Sequence, residues 1–227
     1  MTPAAHLVAP VQWRDRTVVV QGRERAYREA GDGEVVLLLH PPGLSGSGGG
    51  PLDQLAGSHK LIEMSVAPEG AVDDPSAREA AGLVGQLAEA VGFDHVAVVS
   101  RGTASTVALW LAIDGRATVT TLVLESPPLL TEDATFSDGP NAALLHAMPS
   151  LEVPTLILLG ESTEPGMLEL QLSTYKRLLP ASTVGLVYDA GEDVRGDRPA
   201  AYITAVAEYL ERGQAFVVST RSTVIHA

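Results

Sequence analysis

The sequence predicts an α/β domain: a mostly parallel central sheet of about eight strands with helices on both faces. Three observations point there. Short β-branched apolar runs recur along the chain. Segments with a 3.6-residue apolar period lie between them. Glycine or proline stands at many of the joins. Strands that alternate with helices line up in parallel and need helices on both sides.

The elements follow in order. Thr17 to Gln21 and Arg25 to Glu29 read as a strand pair turned at Gly22. Val35 to Leu39 and Leu61 to Val66 read as buried strands. Ser76 and Glu79 suit a capping box ahead of a helix whose apolar face is Ala80, Leu83, Val84, Leu87 and Val91. Val96 to Val99 is the next strand, followed by a helix with the stripe Ala104, Val107, Ala108 and Leu111. Strands at Thr121 to Leu124 and Thr155 to Leu159 precede a helix at Met167 to Leu179. A strand at Thr183 to Tyr188 leads to a last helix, striped by Tyr202, Ala205, Val206 and Tyr209 and closed by Gly213. The tail, AFVVSTRSTVIHA, either frays or adds a strand at an edge or in a homodimer.

Composition bounds the function. The 227 residues, 45% of them hydrophobic, suit one domain over 1–227, with its core at about 16–212 and a tail at 213–227. A net charge of −13 argues against a general nucleic-acid binder and against an anionic membrane surface. The absence of cysteine excludes disulfides, thiolate metal sites and a cysteine nucleophile. No apolar run is long enough to span a bilayer, and the start lacks the pattern of a signal peptide, so a cytoplasmic protein is expected. No cofactor is expected. His59, His95, His146 and His226 have no metal-ligand spacing, so no metal is expected. SGSGGGP is not followed by Lys-Ser/Thr, so it is not a phosphate loop.

Five segments carry a resemblance: VVLLLHPPGLSG, LIEMSVAPEG, VAVVSRGTASTVALWLA, VPTLILLGESTEP and VGLVYDAGEDVRGDRPAAYITAVAEYL. In this order and spacing, over about Arg16 to Arg212, they resemble the α/β-hydrolase fold. They stand for its oxyanion strand and loop, a neighbouring strand, the nucleophile elbow, the strand before the acid, and the histidine loop with its final helix. The family's elbow reads Gly-x-Ser-x-Gly, with the serine strained at a strand-to-helix corner. Here Ser100 and Ala104 fill the small flanking positions and the apex is Gly102. Glycine reaches the strained conformation freely but has nothing to acylate. The family's histidine position, after Gly191, holds Glu192. Its acid region holds Ser162, Thr163 and Glu164, and Glu164 fits only if the loop shifts by one residue. The resemblance thus implies a member with a degenerate triad. Between Leu124 and Val153 there is room for one or two short helices, so only a minimal lid is expected.

Candidate chemistry clusters at the carboxyl edge. The resemblance implies an oxyanion hole from the N–H groups of Thr103 and of Gly43 or Leu44, since Pro42 has none to give. His40 opens that loop, either ordering it or acting as a base. Glu192 stands where the base should be, and a partly apolar cleft would make it usable; otherwise it is a solvated loop acid. Arg101, Glu125 and Ser126 line the same edge as substrate-binding candidates. Arg101 suits a carboxylate or phosphate, or a neighbouring acid; Glu125 suits an acid role or a strand-end charge satisfied by backbone. Ser100, Ser105 and Ser126 are displaced-nucleophile candidates that no histidine serves. Three readings stay open: acyl transfer from a thioester in specialised metabolite assembly, with a small-molecule or carrier-protein-tethered substrate; a non-acyl lyase or cyclase; and an inactive pseudohydrolase that binds or scaffolds.

Overall fold

The computed structural model describes residues 11–43, 50–66, 74–115, 117–130, 141–180, 182–215 and 224–226. The strands are β1 (Arg14–Val20), β2 (Arg23–Ala30), β3 (Glu34–His40), β4 (His59–Ser65), β5 (His95–Arg101), β6 (Thr118–Glu125), β7 (Thr155–Gly160), β8 (Ser182–Val187) and β9 (Val224–His226). They form one nine-stranded sheet in the order β1-β2-β4-β3-β5-β6-β7-β8-β9. β3 to β8 are parallel. The β1–β2 hairpin closes one side antiparallel and β9 closes the other. The expected eight strands are β1 to β8. The ninth comes from the tail, where Val224, Ile225 and His226 pair with the chain's own β8.

Side chains alternate across a strand, and the sequence uses that period to feed two cores. Leu37 and Leu39, Val98, Leu122 and Leu124, and Ile157 and Leu159 face one way. Val36 and Leu38, Val99, Val123, and Leu156 and Leu158 face the other. On the first face pack α1 (Asp74–Val91), α2 (Ala104–Asp114), α3 (Ala142–Ala147) and α4 (Pro165–Leu178). On the second pack a 3-10 turn (Pro51–Gly57), α5 (Val194–Asp197) and α6 (Pro199–Arg212). No helix among the described residues is long and apolar enough to cross a membrane.

Two helices differ from expectation. α1 begins at Asp74, with Pro75 in its first turn, so Ser76 and Glu79 lie inside the helix and not at its cap. α2 is buried at every position from Ala104 to Leu111, so its apolar residues are no stripe but a core rod under the sheet. The lid region supplies α3 and the short turn Met148–Ser150, while residues 131–140 lie outside the described ones.

Gly160 ends β7 where the backbone carbonyls of Ala190 and Gly191 press against it, leaving no space for a Cβ. The loop after β8 therefore reaches the carboxyl edge only because this residue is glycine. Gly160→Ala should cost about 1–3 kcal/mol of unfolding free energy, the range for overpacking a tight contact. Urea denaturation measures this, and a change within about 0.5 kcal/mol would contradict the packing described.

Candidate active site

The corner forms between β5 and α2. Gly102 takes φ +54, the left-handed conformation of the strained apex. Its N–H donates to the main-chain oxygen of Glu125 at 2.9 Å, which fixes the corner to the end of β6. Among the described residues, a Cβ built on Gly102 would meet nothing nearer than Pro41 Cγ at 3.9 Å. The apex thus has room for a side chain and carries none. The flanking small residues are used in packing. Ser100 Oγ donates to Ser105 Oγ at 3.1 Å, and both serines are buried, as is Ala104. Neither serine is exposed as a displaced nucleophile.

The period-2 rule also sets the charges. Val99 and Arg101 share the α6 face of β5, and Val123 and Glu125 share that face of β6. Register places Arg101 opposite Glu125, and on the other side Leu39 pairs with Ser100, so His40 lies beside Arg101. Glu125 is 1% exposed. Its carboxylate accepts the Arg195 N–H at 3.1 Å and faces the guanidiniums of Arg101 at 3.9 Å and Arg195 at 4.0 Å. Tyr202, fully buried on α6, stands beside it. Burial raises the Glu125 carboxyl above its ordinary value, against the opposing pull of Arg195 and Arg101.

The loop after β8 is tied to this cluster. Arg101 Nη2 meets Asp193 Oδ1 at 2.8 Å. Ser126, itself at φ +42, donates its hydroxyl to the Glu192 main-chain oxygen at 2.7 Å. Gly191 N–H donates to Asp197 at 2.8 Å, and Asp193 accepts from Gly196 N–H at 2.9 Å. The Glu192 side chain itself is exposed. The burial expected of Glu192 belongs to Glu125 instead, because position 192 faces outward and strand alternation turns position 125 inward. Glu164 is exposed ahead of α4.

On the oxyanion side, His40 is buried. Its Nδ1 lies 3.0 Å from the Pro41 oxygen, to which it donates, and its Nε2 faces Glu63 Oε1 at 3.7 Å. Glu63 is held in turn by Arg28 at 3.1 Å. Gly43 takes φ +82 in the turn that follows, and Thr103 leads into α2. Leu44 lies outside the described residues. The structure thus brings Gly102, Arg101, Glu125, Ser126 and the Glu192 main chain together, with His40 on the adjacent strand.

Sequence reasoning missed Asp193, Arg195, Tyr202 and Glu63. Only Glu63 carried a local signal, an acid at an inward position of an apolar strand. The other three meet Glu125 or Arg101 across the fold, with Arg195 seventy positions from Glu125.

The raised Glu125 carboxyl has a consequence for stability. Between the ordinary value of 4.5 and the raised one, the folded chain holds a proton that the unfolded chain has released. Stability therefore falls as pH rises through that window. Glu125→Gln cannot titrate. The stability of the wild type relative to this variant should drop as pH rises above the ordinary carboxyl value of 4.5 in urea melts. A relative gain over that range would contradict the assignment.

No protein-family model matches the chain, and no characterised sequence does. Solved structures do. A "predicted CIB-like hydrolase" from Thermoplasma acidophilum superposes with a TM-score of 0.69 at 11% identity, over 88% of this chain and 98% of that one. The serine hydrolase CarC of carbazole degradation gives 0.70 at 17% identity, over 88% and 99%. A thermophilic esterase from Thermogutta terrifontis gives 0.68 at 16%, over 88% and 98%. With the strand order, the glycine corner and these superpositions together, the chain has the α/β-hydrolase fold.

Proposed function

We propose that this chain is an α/β-hydrolase-fold enzyme that moves an acyl group from a thioester to an amine or hydroxyl without a serine acyl-enzyme. The observation that carries the reading is Gly102: the strained apex is kept at φ +54, with room for a side chain among the described residues and no nucleophile on it. In this reading the N–H groups of Thr103 and Gly43 or Leu44 polarise the thioester carbonyl. The acceptor's nitrogen or oxygen attacks the carbonyl carbon directly, the thiolate leaves, and the acceptor's proton passes to solvent or to that thiolate. His40, held by Glu63 and the Pro41 oxygen, orders the oxyanion loop. Positioning supplies the acceleration. The substrate is a small molecule or is tethered to a carrier protein. A cytoplasmic setting and a place in specialised metabolite assembly belong to the same proposal, the second resting on analogy of fold.

A second reading, an inactive pseudohydrolase that binds a ligand or partner, has one observation in its favour. The Arg101–Asp193 and Ser126–Glu192 contacts tie the loop after β8 to the corner, where hydrolases of this fold keep a histidine free to act.

Two experiments test these readings. Intact-mass analysis after treatment with a serine-directed fluorophosphonate should find the protein unlabelled. Labelling of any serine would overturn the nucleophile-free reading. An N-acetylcysteamine thioester should release thiol in the presence of the protein only when an amine acceptor is added. No release above background with any acceptor would favour the pseudohydrolase. Separately, Gly102→Ser should fold, at a strain cost of about 1–2 kcal/mol for a left-handed non-glycine residue. It should gain no p-nitrophenyl acetate hydrolysis, because position 192 supplies no imidazole. A gain of about tenfold or more would show a base within reach.

A further inference from the structure

Arg101 is aimed from behind by a buried acid. Its Nε faces Glu125, which is 1% exposed, while its Nη2 meets Asp193 Oδ1 at 2.8 Å. Asp193 is different in kind. Its side chain is 53% exposed and sits on the loop after β8, with the Gly196 N–H as its second partner on the same oxygen. An ion pair this exposed is weak and open to exchange. Behind it, two guanidiniums, Arg101 and Arg195, share the one Glu125 carboxylate. Burial disfavours the charge on that carboxylate, so the cluster carries a positive excess that Asp193 offsets.

We infer that Arg101 is the recognition point for an anionic group of the ligand, a carboxylate or a phosphate, and that Asp193 occupies it as an internal stand-in until the ligand displaces it. A planar guanidinium between a buried acid and an exchangeable surface carboxylate suits such oxyanions, which it binds through paired N–H donors. Arg101 directly precedes the Gly102 apex, so the anion anchors a ligand whose reacting group lies at the corner. The Arg195 N–H bond to Glu125 still holds the loop when Asp193 swings away. The inference deepens the acyl-transfer reading by naming a charge on the substrate or on its carrier arm.

Inorganic phosphate and malonate, titrated separately at constant ionic strength into the whole chain by calorimetry, test it. Asp193→Asn keeps an oxygen for the Gly196 N–H while removing the competing charge. It should bind at least one of the two anions about tenfold more tightly than the wild type. Tighter malonate points to a carboxylate on the acyl group, and tighter phosphate to a phosphate ester on the carrier arm. Adding Arg101→Lys, which keeps the charge but loses the fork, should weaken that binding, and adding Arg101→Gln should abolish it. Circular dichroism confirms that each variant is folded. Equal affinity in wild type and Asp193→Asn, no binding by Asp193→Asn, or binding that survives Arg101→Gln would overturn the inference. The readout is binding and not turnover, so a failed thioester assay and a failed anion titration are separate results.

Discussion

The carboxylate of Glu125 is the constraint on which the carboxyl edge depends. It ends β6 on the α6 face, out of water, where a charge is costly unless it is paired. Its main-chain oxygen holds the Gly102 corner and its side chain holds the Arg195 N–H of the loop after β8. Arg101 closes the triangle by reaching both Glu125 and Asp193. One residue thus sets how the elbow and that loop sit relative to each other. Removing either guanidinium would leave a buried acid with less compensation, which is more disruptive than the weak exposed contacts around it.

This arrangement gives the glycine at the apex a physical meaning. In hydrolases of this fold the corner aims a side chain at a histidine on the loop after the last parallel strand. Here the two segments are still brought together, but by an ion pair and a serine-to-backbone hydrogen bond. Among the described residues, the corner sets the Arg101 guanidinium beside Gly102, and in the proposed reading the two hold an anion and a carbonyl.

The fold was legible because its signals are local. Strand alternation and β-branched runs placed β1 to β8, and the small residues around Gly102 marked the elbow. The start of α1 lies three residues before the one the capping box implies, although Asp74 and Pro75 carry a start signal of their own. The burial of α2 on all sides was visible in ASTVALWLAID, which has almost no charged residue before its end. The site was less legible. The identity of Glu125 as the buried acid depends on which way position 125 faces, and its partners arrive from α5 and α6, far along the chain. Glu192 drew attention by its alignment with a family position, yet its side chain is exposed while its main-chain oxygen accepts from Ser126. β9 is three residues long, too short for a periodic signal.

The most direct measurement is amide hydrogen exchange at Arg195. This N–H lies in a four-residue helical turn next to exposed residues, where fast exchange is the ordinary outcome. If Glu125 anchors the loop as described, the Arg195 amide exchanges about a hundredfold or more slowly than an unprotected amide, close to the behaviour of the Gly102 amide. Exchange at the unprotected rate, with the Gly102 amide still protected, would show that the loop is not held by the buried acid and would contradict the account.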